Sequence, residues 1–423
     1  MRLLRVTAKP ESSSRRADAD RALAVAATLV AVVLFLGVWG VLHRGLFTND
    51  PIVDTPVYEQ YGSEMDDGKV PYRDFAVEYP PGALPVFAVP ALGDPRFETF
   101  RVRFEALMAF FGEAMIVCVA IALVALEAGR KRLVGALGLV SLAPLALGPV
   151  VLSRFDLWPA ALVAAALAAL VSGRVRLGHV ALGAAVAAKL YPVVLVPIAV
   201  AYVWRREGRR EALVCAAALA AVVGVVFAPF LVLGPGGLWH SLWDQASRPL
   251  QIESLGASLL LVSHHVFGTA ITMESSHGSQ NLVGSAPDVL AAAQSVLQVA
   301  ALVAVWVLFA RGPAGRDRLV QASAAALVAF IVGGKVLSPQ FLIWLIPVVP
   351  LVRGRRGVAA GALLATALVL TQLWFPYRYW ELALHFGALE SWLVLARDLA
   401  LVALLVVLLR DRDPDRLAAG RSA

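Results

Sequence analysis

Charge is scarce in this 423-residue chain: Asp, Glu, Lys and Arg make up 16% of it, against 59% hydrophobic residues. A water-soluble domain carries roughly a quarter charged residues, so the balance points to a polytopic membrane protein instead. Cysteine is scarcer still, with Cys118 and Cys215 both inside apolar runs. That excludes a disulfide framework and leaves two buried thiols. No HExxH, CxxC or carboxylate–His cluster occurs, and the adjacent His264-His265 cannot both ligate one metal from a regular helix face. No metal site and no cofactor are therefore expected. Walker A, a Rossmann glycine fingerprint and GxSxG are missing as well.

What the chain does have is long apolar runs with basic residues between them. Of its 37 Lys and Arg, 25 fall in seven short stretches: 1–21, 127–132, 172–178, 205–211, 311–318, 353–357 and 410–423. The positive-inside rule makes these stretches cytoplasmic, so the net charge of +7 needs no nucleic acid partner. The expectation is an all-α polytopic protein of the plasma membrane with about twelve membrane segments. They run roughly over 21–42, 104–126, 133–152, 157–171, 179–189, 191–204, 212–233, 286–310, 319–335, 339–352, 358–376 and 389–409. Residues 1–20 read as a disordered cytoplasmic tail, 21–409 as one integral membrane domain, and 410–423 as a second cytoplasmic tail.

Two pairs of segments are abnormal. The stretches 179–204 and 319–352 each begin and end at basic loops, yet each is too short for two full spans. Each must rise, break and return, at Lys189-Leu-Tyr-Pro192 and at Lys335-Val-Leu-Ser-Pro339. A cation at a broken membrane helix is expensive, and its natural ligand is an anion such as a phosphate. Snorkelling to the headgroups is the plainer reading of either lysine.

Two long outer loops face the same side as these breaks, about 43–103 and 234–285. The first is acidic, with Asp50, Asp54, Asp66, Asp67, Asp74 and Glu78, and its stretch 54–66 can form an amphipathic interfacial helix. A carboxylate there can take a proton from an acceptor hydroxyl, or serve merely as a turn residue or helix cap. Ser153-Arg154-Phe155-Asp156 forms a short outer turn, as either a local surface ion pair or a phosphate or sugar contact. The second loop offers Gln251, Glu253 and His264, while Trp239, Trp243, Trp374, Tyr377, Tyr379 and Trp380 fit an interfacial aromatic belt. Arg397-Asp398 in the last span is a buried pair, or the proton relay of a secondary transporter or lipid flippase, the rival function class.

The series DTPVYEQYG (54–62), PYRDF..EYPPG (71–82), RFDLWPA (154–160), AKLYP (188–192) and GKVLSPQFLIW (334–344) resembles glycosyltransferase family 87. These are polyprenol-phosphate-mannose-dependent α-mannosyltransferase-like proteins of the GT-C superfamily. The resemblance implies a GT-C-type fold with an extracytoplasmic active site and both termini cytoplasmic. It implies an inverting transfer of a hexose, mannose by analogy, from a polyprenyl-phosphate donor to a cell-envelope lipid or glycan acceptor. Asp54 maps onto the catalytic base, with Asp50 in reserve, while Lys189, Lys335 and Arg154 would hold the donor phosphate. Asp156, Tyr191, Glu78, Gln251, Glu253, His264 and Gln340 would contact the substrates.

Overall fold

Leucine- and alanine-rich runs without internal charge propagate as helices, and helix dominates the chain. The computed structural model describes residues 11–48, 52–93 and 96–410. Its first half comprises α1 (Glu11–Leu42), α2 (Thr55–Asp66), α3 (Leu84–Ala91), α4 (Phe97–Ala125), α5 (Arg130–Leu147), the single turn α6 (Val150–Ser153), α7 (Leu157–Val171), α8 (Val175–Ala188), α9 (Val196–Glu207) and α10 (Arg209–Leu233). Then come α11 (Pro235–Ser247), β1 (Leu250–Gln251), α12 (Leu255–Phe267), β2 (Thr272–Ser276) and β3 (Ser279–Val283). The chain closes with α13 (Ser285–Arg311), α14 (Arg316–Gly333), α15 (Gly354–Gln372), α16 (Tyr379–His385) and α17 (Ala388–Leu409).

Six stretches are long and apolar enough to cross a bilayer: Asp18–Leu42, Phe97–Ala125, Arg209–Leu233, Ser285–Arg311, Gly354–Trp374 and Ala388–Leu409. The other expected segments are also helical, but shorter. α7, with seven alanines in fifteen residues, is almost wholly buried and packs on α4 and α8. Small side chains let membrane helices approach closely, so such an element can sit inside the bundle without meeting lipid.

The basic loops share one face. Arg176 at the start of α8 forms a two-pronged ion pair with Glu211 at the start of α10, at 2.6 and 2.8 Å. The chain between them therefore rises and returns, as its length requires. Asp317 at the start of α14 meets both Arg132 and Arg353, at 3.3 and 3.2 Å, so the stretch 316–353 also closes on itself. Arg205 and Arg206 reach the carbonyls of Gly312 and Ala314, and Arg316 reaches that of Ala125. Lys189 and Lys335 thus occupy the far tips of two closed hairpins.

Three expectations change. The returning limb of the second hairpin is not an α-helix. It runs as 3-10 turns, Pro339–Leu345 and Val349–Leu351, because Pro339, Pro347 and Pro350 remove donors from any longer ladder. The fold is not purely helical, since the second long loop builds a three-stranded antiparallel sheet in the order β1-β3-β2. Helix α1 begins at Glu11, within the expected tail, and residues 1–10 and 411–423 lie outside the described residues.

Candidate active site

The far tips gather the charged residues. The first long loop folds as α2 and α3 over an aromatic core in which Tyr58 stacks on Phe87 at 4.6 Å and Tyr79 meets Phe155 edge-on at 4.8 Å. α2 lies so close to α3 that a Cβ on Gly62 would come within 2.4 Å of the Phe87 carbonyl. This packing fixes Asp54, the residue that opens α2, above the Ser153–Asp156 turn.

Asp54 occupies the N-cap position, yet its side chain makes no cap hydrogen bond. It is spent elsewhere: Oδ1 lies 2.8 Å from Arg154 Nη1, and Oδ2 accepts a 3.3 Å bond from the Tyr58 hydroxyl. The Arg154 side chain is 5% exposed and that of Asp54 31%, so the carboxylate is the member of the pair that solvent or substrate can reach. Arg154 and Asp156 are therefore not the local surface pair that adjacency suggested.

Asp156 turns instead to the first break. Its buried Oδ1 accepts from Lys189 Nζ at 2.6 Å and from Trp344 Nε1 at 2.5 Å. The ammonium is boxed by rings, 4.5 Å from the centre of Phe155, 5.4 Å from Trp344 and 5.8 Å from Tyr79. Trp344 is sandwiched between Tyr191 at 4.0 Å and Phe341 at 4.1 Å. A desolvated lysine is tolerable only with such a partner and such faces around it. Asp54 and Arg154 both lie close enough to act electrostatically on Lys189, so the two ion pairs form one site.

Glu253 is buried nearby and accepts from Gln251 Nε2 at 2.7 Å. Burial holds its carboxyl up to about 8, against the opposing pull of Arg397, Arg154 and Arg248. Glu78 sits exposed against the hairpin turn at Gly278.

Other expected residues are placed differently. The Lys335 ammonium donates to the Ala246 carbonyl at 3.1 Å and meets no carboxylate at ion-pair distance among the described residues. Gln251 works as a stitch: its amide bonds Leu337 N and Ser338 Oγ, and its backbone N bonds the Lys335 carbonyl. His264 bonds the Thr269 carbonyl at the end of α12 and packs on Phe386. Gln340 is half-buried with no hydrogen bond among the described residues. Asp50 lies outside the described residues.

The aromatic belt divides. Trp239 and Trp243 are exposed on α11 and Trp380 partly so, whereas Trp374 and Tyr379 are buried. Arg397 and Asp398 are fully buried, 2.7 Å apart, and Arg397 also donates to the Glu253 carbonyl. That pair clamps α17 to the loop carrying Glu253. Sequence reasoning missed Trp344 as a partner of Asp156, and it missed Arg248, whose signal was being the single Lys or Arg between 234 and 285.

A polytopic membrane protein with interlocked acid–base pairs at one end of its helices is the class these observations define. The chain belongs to glycosyltransferase family 87, whose family model matches residues 77–339, more than half its length. That stretch contains Arg154, Asp156, Lys189 and Glu253, while Asp54 lies just before it. Among solved structures, the chain is similar to ArnT from Cupriavidus metallidurans, whose crystal structure has undecaprenyl phosphate bound. Identity is 16% and the TM-score 0.47, over 90% of this chain and 76% of that one. No curated protein matches the chain in sequence.

Proposed function

We propose that this protein is an inverting glycosyltransferase that moves a hexose, mannose by family analogy, from a polyprenyl-phosphate donor to a lipid or glycan acceptor of the cell envelope. The observation that carries the reading is the adjacency of the Asp54–Arg154 and Asp156–Lys189 pairs, at 2.8 and 2.6 Å, at the end of the bundle opposite the basic loops. With those loops cytoplasmic, both termini are cytoplasmic, the helical segments number about twelve, and the site faces outward.

The chemistry follows from the charges. Asp54 is the solvent-accessible member of its ion pair and acts as the base, taking the acceptor hydroxyl's proton as oxygen attacks the anomeric carbon. The carbon–oxygen bond to the donor phosphate breaks at the opposite side, which inverts the configuration. A phosphate ester leaves as an anion without needing an acid, but its developing charge needs preorganised cations. Arg154 and Lys189 supply positive charge within the same cluster. Arg154 also positions the Asp54 carboxylate between turnovers, at 2.8 Å.

The test supplies purified protein with radiolabelled polyprenyl-phosphate mannose and a mixed envelope-lipid extract. Labelled acceptor lipid supports the transferase. Passage of labelled donor across a vesicle bilayer without any product contradicts it and supports a carrier.

A further inference from the structure

Four cations stand among the carboxylates of this site, and three of them are answered. Arg154 meets Asp54, Lys189 meets Asp156 and Arg397 meets Asp398. Arg248, between α11 and β1, meets no carboxylate at ion-pair distance among the described residues. Its Nη2 donates to Ser279 Oγ on β3 at 2.9 Å, and its buried Nε has no partner. The side chain is half-buried, with Glu78, Tyr79, Glu253 and Tyr379 near enough to act on it. Glu253 also feels Arg154, and Glu78 also feels Asp54, so Arg248 belongs to the same cluster as the two ion pairs.

Withdrawing a guanidinium from water without an ionic partner is costly, and an arriving anion recovers that cost. The planar fork suits two oxygens of one phosphate, which a lysine meets only as a point charge. Lys189 lends its charge to the leaving phosphate from beside it but is poorly placed to seat it directly, because Asp156 already holds its ammonium. Arg154 is engaged by Asp54 in the same way. We infer that Arg248 is the open anion seat of this site and takes a phosphate borne on a lipid substrate. The inference rests on the proposed transfer reaction and refines it. The phosphate is either that of the polyprenyl donor or that of an anionic acceptor lipid.

Purified protein titrated with undecaprenyl phosphate and, separately, with phosphatidylglycerol distinguishes the two sources. Arg248→Gln should weaken binding of one of these lipids about tenfold, equivalent to about 1.4 kcal/mol, and Arg248→Lys should restore part of it. Ser279→Ala, which removes the hydrogen bond but keeps the charge, should change binding less than about twofold. Equal binding by wild type and Arg248→Gln overturns the inference and leaves the transfer reading standing. An equal loss in Ser279→Ala also overturns it, since the arginine would then act only by holding its loop. A wild-type protein that binds neither lipid and transfers no sugar sinks both.

Discussion

The two lysine breaks look alike in sequence and end in different surroundings. Both hairpins are closed at their base by ion pairs, Arg176–Glu211 for the first and Asp317–Arg353 for the second. At the first tip, Lys189 is enclosed by Asp156 and three aromatic rings. At the second, Lys335 leans on a backbone carbonyl, and the hairpin's contribution to the site is Trp344, nine residues on. A lysine before a proline marks where a membrane helix stops. What the lysine then does depends on which carboxylate the rest of the fold brings to it.

That difference can be broken by substitution. Lys189→Ala strands a buried Asp156 carboxylate, and should cost about 3–5 kcal/mol of stability along with sugar transfer. Thermal unfolding in detergent reads the first effect, and adding Asp156→Asn should recover much of it. Next in size is Gly82→Ala in the Pro-Pro-Gly turn. A Cβ there would stand 2.5 Å from the Ala187 carbonyl carbon, directly before the Lys189 tip. Displacing the turn should cost about 1–3 kcal/mol and lower transfer, measured on the same preparations.

An effect of another kind separates Glu253 from its surroundings by pH. Its folded carboxyl titrates at about 8, above the ordinary value of 4.5. Between those values the native state keeps a proton that the unfolded chain has lost, so this group's contribution to stability falls as pH rises and levels off above about 8. The slope is at most about 1.4 kcal/mol per pH unit, and Glu253→Gln should remove it from a series of melting temperatures. Smallest of all, Lys335→Ala should cost about 1 kcal/mol, the loss of one carbonyl hydrogen bond. A drop matching that of Lys189→Ala would erase the contrast between the tips.

Much of this architecture is legible locally. Apolar runs and basic loops locate the helices, chain length alone requires the two hairpins, and the stretch 54–66 is helical as α2 (Thr55–Asp66). Pairings are not local. Arg154 has Asp156 two residues away and chooses Asp54, because the aromatic core under α2 delivers that carboxylate from the far end of a long loop. Lys189 and Asp156 meet because α7 and α8 are antiparallel and close. The β-sheet of the second loop was hidden by short strands of two to five residues, and the 3-10 limb by an apolar pattern that does not distinguish helix types.

The measurement that bears most directly on the account is sugar transfer by Asp54→Asn, a nearly isosteric change that removes the base and keeps a hydrogen-bond partner for Arg154. Transfer from radiolabelled polyprenyl-phosphate mannose should fall by about 100- to 10,000-fold while the protein still elutes as a single folded species. Turnover within a few-fold of wild type would contradict the assignment of Asp54 as the group that activates the acceptor.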